Sequence, residues 1–158
     1  MKRTVFSLLA AFALCVSAAA AGPAVSCPSA LLMEKQTGTV LFAQDEHTPR
    51  EPASVTKIMT LLLVMEAIDS GALSYDDTVT GSTHAASMGG SQIWLEPGEQ
   101  FTLDEMLRAI CVSSANDAAV AVAELVGGSE PAFVEQMNAR AAALGMEQTA
   151  FRNACGLD

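Results

Sequence analysis

Beyond the first twenty residues, the strongest hydrophobic pattern lies between Ser54 and Ser70. Ile58, Met59, Leu61 to Met65, Ala67 and Ile68 are apolar almost all round a helical wheel, and the run stops at Gly71. Such a segment predicts a central, buried helix. Upstream, "SALLMEKQTGTVLFAQ" alternates in the manner of a β-hairpin, with strands near Ala30 to Glu34 and Thr39 to Ala43 around a turn at Gly38. "DEHTPREP" then breaks all regular pattern.

Ser74 to Gly98 is polar, contains Gly89-Gly90 and Pro97, and predicts a long irregular segment holding one short helix or strand. "TLDE" places Glu105 three residues after Thr102, a capping box that starts a helix running to about Val112. "SSAND" interrupts it, and "DAAVAVAELVGG" supplies a further helix ended by Gly127-Gly128. A last helix begins after Ser129, with Pro131 in its first turn, and Gly145 stops it. Several helices therefore stand against one clear hairpin, and a two-stranded ribbon is marginal alone. The imbalance leads us to expect an incomplete domain.

Residues 1–21 carry a different pattern. Met1-Lys2-Arg3, an apolar run from Val5 to Val16 and small residues up to Ala21 form a secretory signal, too short to span a bilayer as a mature helix. Cys15 and Cys27 both have poor surroundings for lipidation. Removing Lys2 and Arg3 leaves about six basic residues against 18 acidic ones, so nucleic acid is excluded as a partner. Of four cysteines, Cys15 leaves with the signal. Cys27, Cys111 and Cys155 are too few and too widely spaced for a disulfide framework, and whether any of them pair stays open. Cys111, in an apolar helical run, is expected to be a small core residue.

The histidines are only His47 and His84, neither in a metal-ligand spacing. "GGSQI" has Ile93 where a Gly-x-Ser-x-Gly elbow needs its second glycine. No metal and no cofactor is expected. What survives is Ser54-x-x-Lys57, a spacing that chance produces about once in every one or two chains of this length. Position strengthens it, because residues i and i+3 share a helix face and can bring the lysine amine to the serine hydroxyl. Burial and the positive end of the helix both disfavour the ammonium, which suits a base. On this motif alone a catalytic pair and a bland reading, Ser54 as a cap and Lys57 reaching solvent, are evenly matched. Ser114 and Asn116 in "SSAND" offer a hydroxyl and an amide at a break between helices, against an ordinary N-cap by Asn116 or Asp117.

"LLMEKQTGTVLF", "PASVTKIMTLLLVMEAI", "HAASMGGSQIWLEPGE" and "SSANDAAVAVAE" together resemble the low-molecular-weight penicillin-binding proteins. More narrowly, they resemble the D-alanyl-D-alanine carboxypeptidases of peptidase family S11. The resemblance implies an α/β chain with the serine β-lactamase/penicillin-binding-protein-like transpeptidase fold, an antiparallel sheet with helices. It also implies a serine acyl-enzyme mechanism on peptidoglycan stem peptides ending in D-Ala-D-Ala. Ser54 would be the nucleophile, Lys57 its base, Ser114 a proton relay to the leaving amine and Asn116 the residue that positions the acyl chain. β-Lactams would be covalent inhibitors, and the protein would act outside the cytoplasmic membrane, at the membrane face or the cell wall. Membrane association through a C-terminal amphipathic helix is left open.

Two features depart from the family. Its Lys-Thr-Gly signature is absent: Lys35 and Lys57 are the lysines beyond the signal, and Gln36-Thr37-Gly38 has no lysine and lies at a turn. Cys155 stands where the family typically has histidine before "GLD", a departure expected to matter only locally. We therefore expect residues 22–158 to be the first part of a catalytic domain truncated before the later sheet strands, and inactive alone. The alternatives are a class A β-lactamase-like hydrolase, whose second signature is normally Ser-Asp-Asn, and a non-catalytic wall-binding protein.

Overall fold

The computed structural model describes residues 22–157, so the expected signal peptide lies outside the described residues. They fall into two units, divided after Thr48. The first holds the hairpin: β1 (Ala30–Met33) pairs antiparallel with β2 (Val40–Gln44), with an irregularity between Leu32 and Met33. Its turn is organised by Glu34, whose carboxylate accepts from the backbone N–H groups of Gln36 and Thr37 and from the Thr37 hydroxyl. Thr37 is thus spent inside a turn, in keeping with its exclusion as a substitute for a Lys-Thr-Gly strand.

The second unit begins with a 3₁₀ turn, Ala53–Thr56, that runs into α1 (Lys57–Asp69). Next come β3 (Thr78–Thr80), a one-turn helix α2 (Thr83–Ala86) and β4 (Gln100–Thr102). The unit continues with α3 (Leu103–Ser113), α4 (Asn116–Gly127) and α5 (Glu130–Ala143). The Thr102 capping box is formed: its hydroxyl accepts from the Glu105 N–H, and Glu105 Oε2 accepts from the Thr102 N–H at 2.8 Å. Such a cap stabilises a helix by about 1 kcal/mol. The Ser129 hydroxyl caps α5 in the expected place, and Gly128 in left-handed backbone ends α4.

Three expectations need correction. The helix buried on all sides is α4 rather than α1. Every residue from Asn116 to Ala123 is buried, whereas α1 buries Lys57, Met59, Thr60 and Val64 and leaves Ile58 65% exposed. The alanines at 118, 119, 121 and 123 explain this, because small side chains let α1, α2, α3, α5 and β3 all approach one axis. A second ribbon was also missed: β3 and β4 pair antiparallel, Val79 opposite Phe101, with Val79 fully buried. Three-residue strands offer too few alternating positions to be seen as a period. Cys111, expected in the core, is exposed. On α3 the inward positions are Leu103, Met106, Leu107 and Ile110, and Cys111 follows on the outer face.

The main core gathers Val64, Val79, Leu95, Met106, Ile110, Val120 and Val122, and a second cluster on α5 is built on Phe133 and Met137. Full burial of side chains of this size contributes about 1.5–3 kcal/mol each. Their consequence for the site is positional: α1, α4 and α5 meet where the chain passes Ala154 and Cys155, both buried.

Candidate active site

Ser54 is the second residue of the 3₁₀ turn and Lys57 is the first residue of α1. A 3₁₀ turn has three residues per turn, so positions i and i+3 eclipse one another. The local geometry therefore sets Lys57 over Ser54, and Nζ lies 3.2 Å from Oγ. Ser54 is exposed while Lys57 is 3% exposed, which disposes of the reading in which the lysine reaches solvent. Neither the 3₁₀ turn nor α1 carries a side-chain cap bond; their N-cap residues are Pro52 and Thr56 rather than Ser54.

Lys57 Nζ has a second partner, the carbonyl oxygen of Cys155 at 2.9 Å. Burial pushes the amine below the ordinary lysine value of 10.5, and the neighbouring Cys155 sulfur pulls weakly in the opposite direction. That pull is small near neutral pH, because burial holds the Cys155 thiol above its ordinary 9.0 and so uncharged. An amine that gives one N–H to a carbonyl can, when neutral, turn its lone pair to a hydroxyl. The Ser54 bond would then run from Oγ–H to Nζ.

The turn carrying Ser54 is held close to the segment after α5. Ala53 has a φ of 48°, a left-handed conformation that costs a non-glycine residue about 1–3 kcal/mol. Gly156 faces it, with a φ of +77°.

Asn116 and Ser114 flank the break between α3 and α4. Ser114, half-buried, is the C-cap of α3 with a φ of 54°. Asn116 does not cap its helix; its Nδ2 donates to Gly89 O at 2.7 Å, and its own N–H donates to Ser91 O at 2.7 Å. A side chain on Gly90 would begin 2.8 Å from Asn116 Nδ2. Asp117 is fully buried, and its carboxylate accepts from the N–H groups of Ile93 and Leu95. Between those two anchors Trp94 has a φ of 62° and is 77% exposed. The first turn of α4 thereby fixes the whole 89–95 loop, and neither Asn116 nor Asp117 plays the simple cap. The structure joins Ser54 directly to Lys57; it hydrogen-bonds Ser114 and Asn116 to neither of them.

Several participants escaped the sequence reading: Asp117, the Cys155 carbonyl, and the groups around it, Thr60, Glu130 and Asn153. Asn153 Oδ1 accepts from the N–H groups of Cys155 and Gly156, the local turn that an Asn three residues before a Gly makes readable. Position 155 lies beside the lysine, and the group that touches Lys57 there is a main-chain carbonyl, which does not depend on the side chain at 155.

The family model for D-alanyl-D-alanine carboxypeptidases (peptidase S11) matches residues 16–158. The chain belongs to the D-alanyl-D-alanine carboxypeptidase family. Within it, D-alanyl-D-alanine carboxypeptidase DacF of Bacillus subtilis is 54% identical over 129 residues, covering 82% of this chain and 33% of that protein. DacA of Escherichia coli strain K12 is 36% identical, covering 86% and 35%. Among solved structures, DacD from Francisella tularensis superposes with a TM-score of 0.84 at 37% identity, over 87% of this chain and 33% of that one. Penicillin-binding protein D2 from Listeria monocytogenes, in an ampicillin-bound form, gives 0.77 at 28% identity, over 87% and 55%. These neighbours establish the transpeptidase-like fold expected from the sequence for the part that the chain covers. The chain spans between a third and less than half of the length of the curated relatives it matches.

Proposed function

We propose that this chain carries the nucleophile and base of a serine-type D-Ala-D-Ala carboxypeptidase. The observation that carries the reading is the bond between exposed Ser54 and buried Lys57, in a family described as D-alanyl-D-alanine carboxypeptidases. Ser54 Oγ attacks the carbonyl carbon between the two terminal D-alanines of a peptidoglycan stem peptide as its proton passes to neutral Lys57. The tetrahedral intermediate collapses with release of D-alanine, its leaving nitrogen taking a proton through Ser114. The acyl-enzyme ester on Ser54 is then hydrolysed by water. Asn116, fixed from Gly89 and Ser91, aligns the acyl chain. β-Lactams, which present a strained amide to the same serine, acylate it and leave slowly.

The family's Lys-Thr-Gly, which by resemblance would supply a cation for the substrate carboxylate and a main-chain donor of the oxyanion hole, is not in this sequence, so we assign residues 22–158 to the first part of the catalytic domain and the activity to the full-length protein. We further propose that residues 1–21 direct export and that the enzyme works outside the cytoplasmic membrane, at its outer face or in the wall. Among the described residues no helix is long and apolar enough to cross a membrane.

The test is mass spectrometry of the full-length protein incubated with penicillin. We expect one adduct on the peptide containing Ser54, its loss in Ser54→Ala, and release of D-alanine from a D-Ala-D-Ala peptide by the unmodified enzyme. An adduct that survives Ser54→Ala would overturn the assignment; rapid turnover of the adduct would favour a β-lactamase.

A further inference from the structure

The carbonyl that Lys57 grips belongs to a short stretch of chain in which the N–H and carbonyl of both Ala154 and Cys155 are held. The Ala154 N–H donates to Glu130 Oε1 at 2.9 Å, and the Ala154 carbonyl accepts from Thr60 Oγ1 at 2.6 Å. The Cys155 and Gly156 N–H groups go to Asn153 Oδ1. Glu130 is 9% exposed and Thr60 is fully buried, and the second Glu130 oxygen pairs with His84 Nε2 at 2.6 Å. Thr60 stands one turn after Lys57 on α1, so two side chains of one helix face hold two successive carbonyls, 154 and 155.

We propose that Thr60 and Glu130 are positioning residues for Lys57. They clamp the Ala154 residue from both sides, its N–H by α5 and its carbonyl by α1, and thereby fix the Cys155 carbonyl at the place where it aims the lysine amine at Ser54. The inference rests on the reading of Lys57 as the base. A long side chain reaches one geometry among many, and an acceptor that cannot drift selects the rotamer in which the lone pair meets the serine proton. Glu130 stands in the first turn of α5, where its two carboxylate oxygens face Ala154 on one side and His84 on the other. His84 occupies the oxygen turned away from Ala154 and so holds the carboxylate in this orientation.

The experiment is the kinetics of acylation of the full-length protein by a fluorescent penicillin, resolved into non-covalent binding and the acylation rate constant. Thr60→Val keeps the volume and deletes the donor. We expect the rate constant to fall about tenfold to a hundredfold with binding unchanged, the scale of a misplaced reacting group. Thr60→Ser should restore it. A folded Thr60→Val protein, judged by circular dichroism, that acylates at the unmodified rate would overturn the proposal, as would a loss confined to binding. Should Thr60→Val fail to fold, Glu130→Leu, which removes the acceptor for the Ala154 N–H, supplies the same comparison, with an unchanged rate constant again counting against the clamp. Ser54→Ala is run in parallel: persistent labelling there would reject the nucleophile assignment instead.

Discussion

Gly156 passes Ala53 so closely that a β-carbon on residue 156 would sit 1.9 Å from the Ala53 carbonyl oxygen. With a φ of +77°, Gly156 is also in backbone that side chains strain to adopt. Gly156→Ala should therefore push the Ser54 turn and the Cys155 carbonyl apart. We expect a loss of about 2–4 kcal/mol in urea unfolding, combining overpacking and backbone strain, and a Ser54 that no longer acylates. An Ala variant with unmoved urea midpoint and labelling would show that the approach is dispensable.

Lys57→Arg tests the proton acceptor. A guanidinium keeps its proton at any working pH, so the variant retains a cation and loses the base. Acylation should fall by about 10²-fold or more. In the unmodified enzyme the acylation rate should climb with pH as Lys57 deprotonates, with its midpoint below the ordinary 10.5. Lys57→Arg should lack that rise in a stopped-flow pH profile.

The same burial has a sign for stability. Because folding lowers the Lys57 value, the unfolded chain binds more protons between that lowered value and 10.5. In this window stability contributed by the site increases with pH, and below the lowered value the penalty on the ammonium is constant. Urea unfolding compared with Lys57→Met should show the difference between the two proteins changing only within the window.

Asp117→Ala should loosen the 89–95 loop. It leaves the Ile93 and Leu95 N–H groups without their acceptor, and removing a buried charged partner costs about 3 kcal/mol or more. Hydrogen exchange should accelerate first at the amides of Ile93 and Leu95; equal exchange in both proteins would contradict the anchoring role.

Cys111 is exposed and Cys155 is buried, with burial holding its thiol protonated. Iodoacetamide should alkylate Cys111 in the native protein and Cys155 only under unfolding conditions, as peptide mapping would reveal.

What could be read in advance was whatever leaves a local signal. The Thr102–Glu105 box, the glycine stops and the hairpin depend on neighbours in the chain, and so does the i, i+3 spacing of Ser54 and Lys57. The hidden part is made of partners far apart in sequence. Glu130, one residue after a serine cap, looks like any acidic residue in a first helical turn, and only folding reveals its bond to Ala154. Thr60 lies in an apolar run whose pattern hides one hydroxyl. The most buried helix was misassigned because alanine scores as weakly hydrophobic, although its smallness is what allows neighbours to surround α4.

The Asp117 carboxylate also decides which way an aromatic ring points. Binding the amides on either side of residue 94 holds Leu95 in the core and half-buried Ile93 against it, while the intervening residue turns outwards with the opposite backbone handedness. An asparagine or glycine there would sit more comfortably than tryptophan, so the ring is displayed at the expense of local ease, on a platform whose orientation is set from inside the protein.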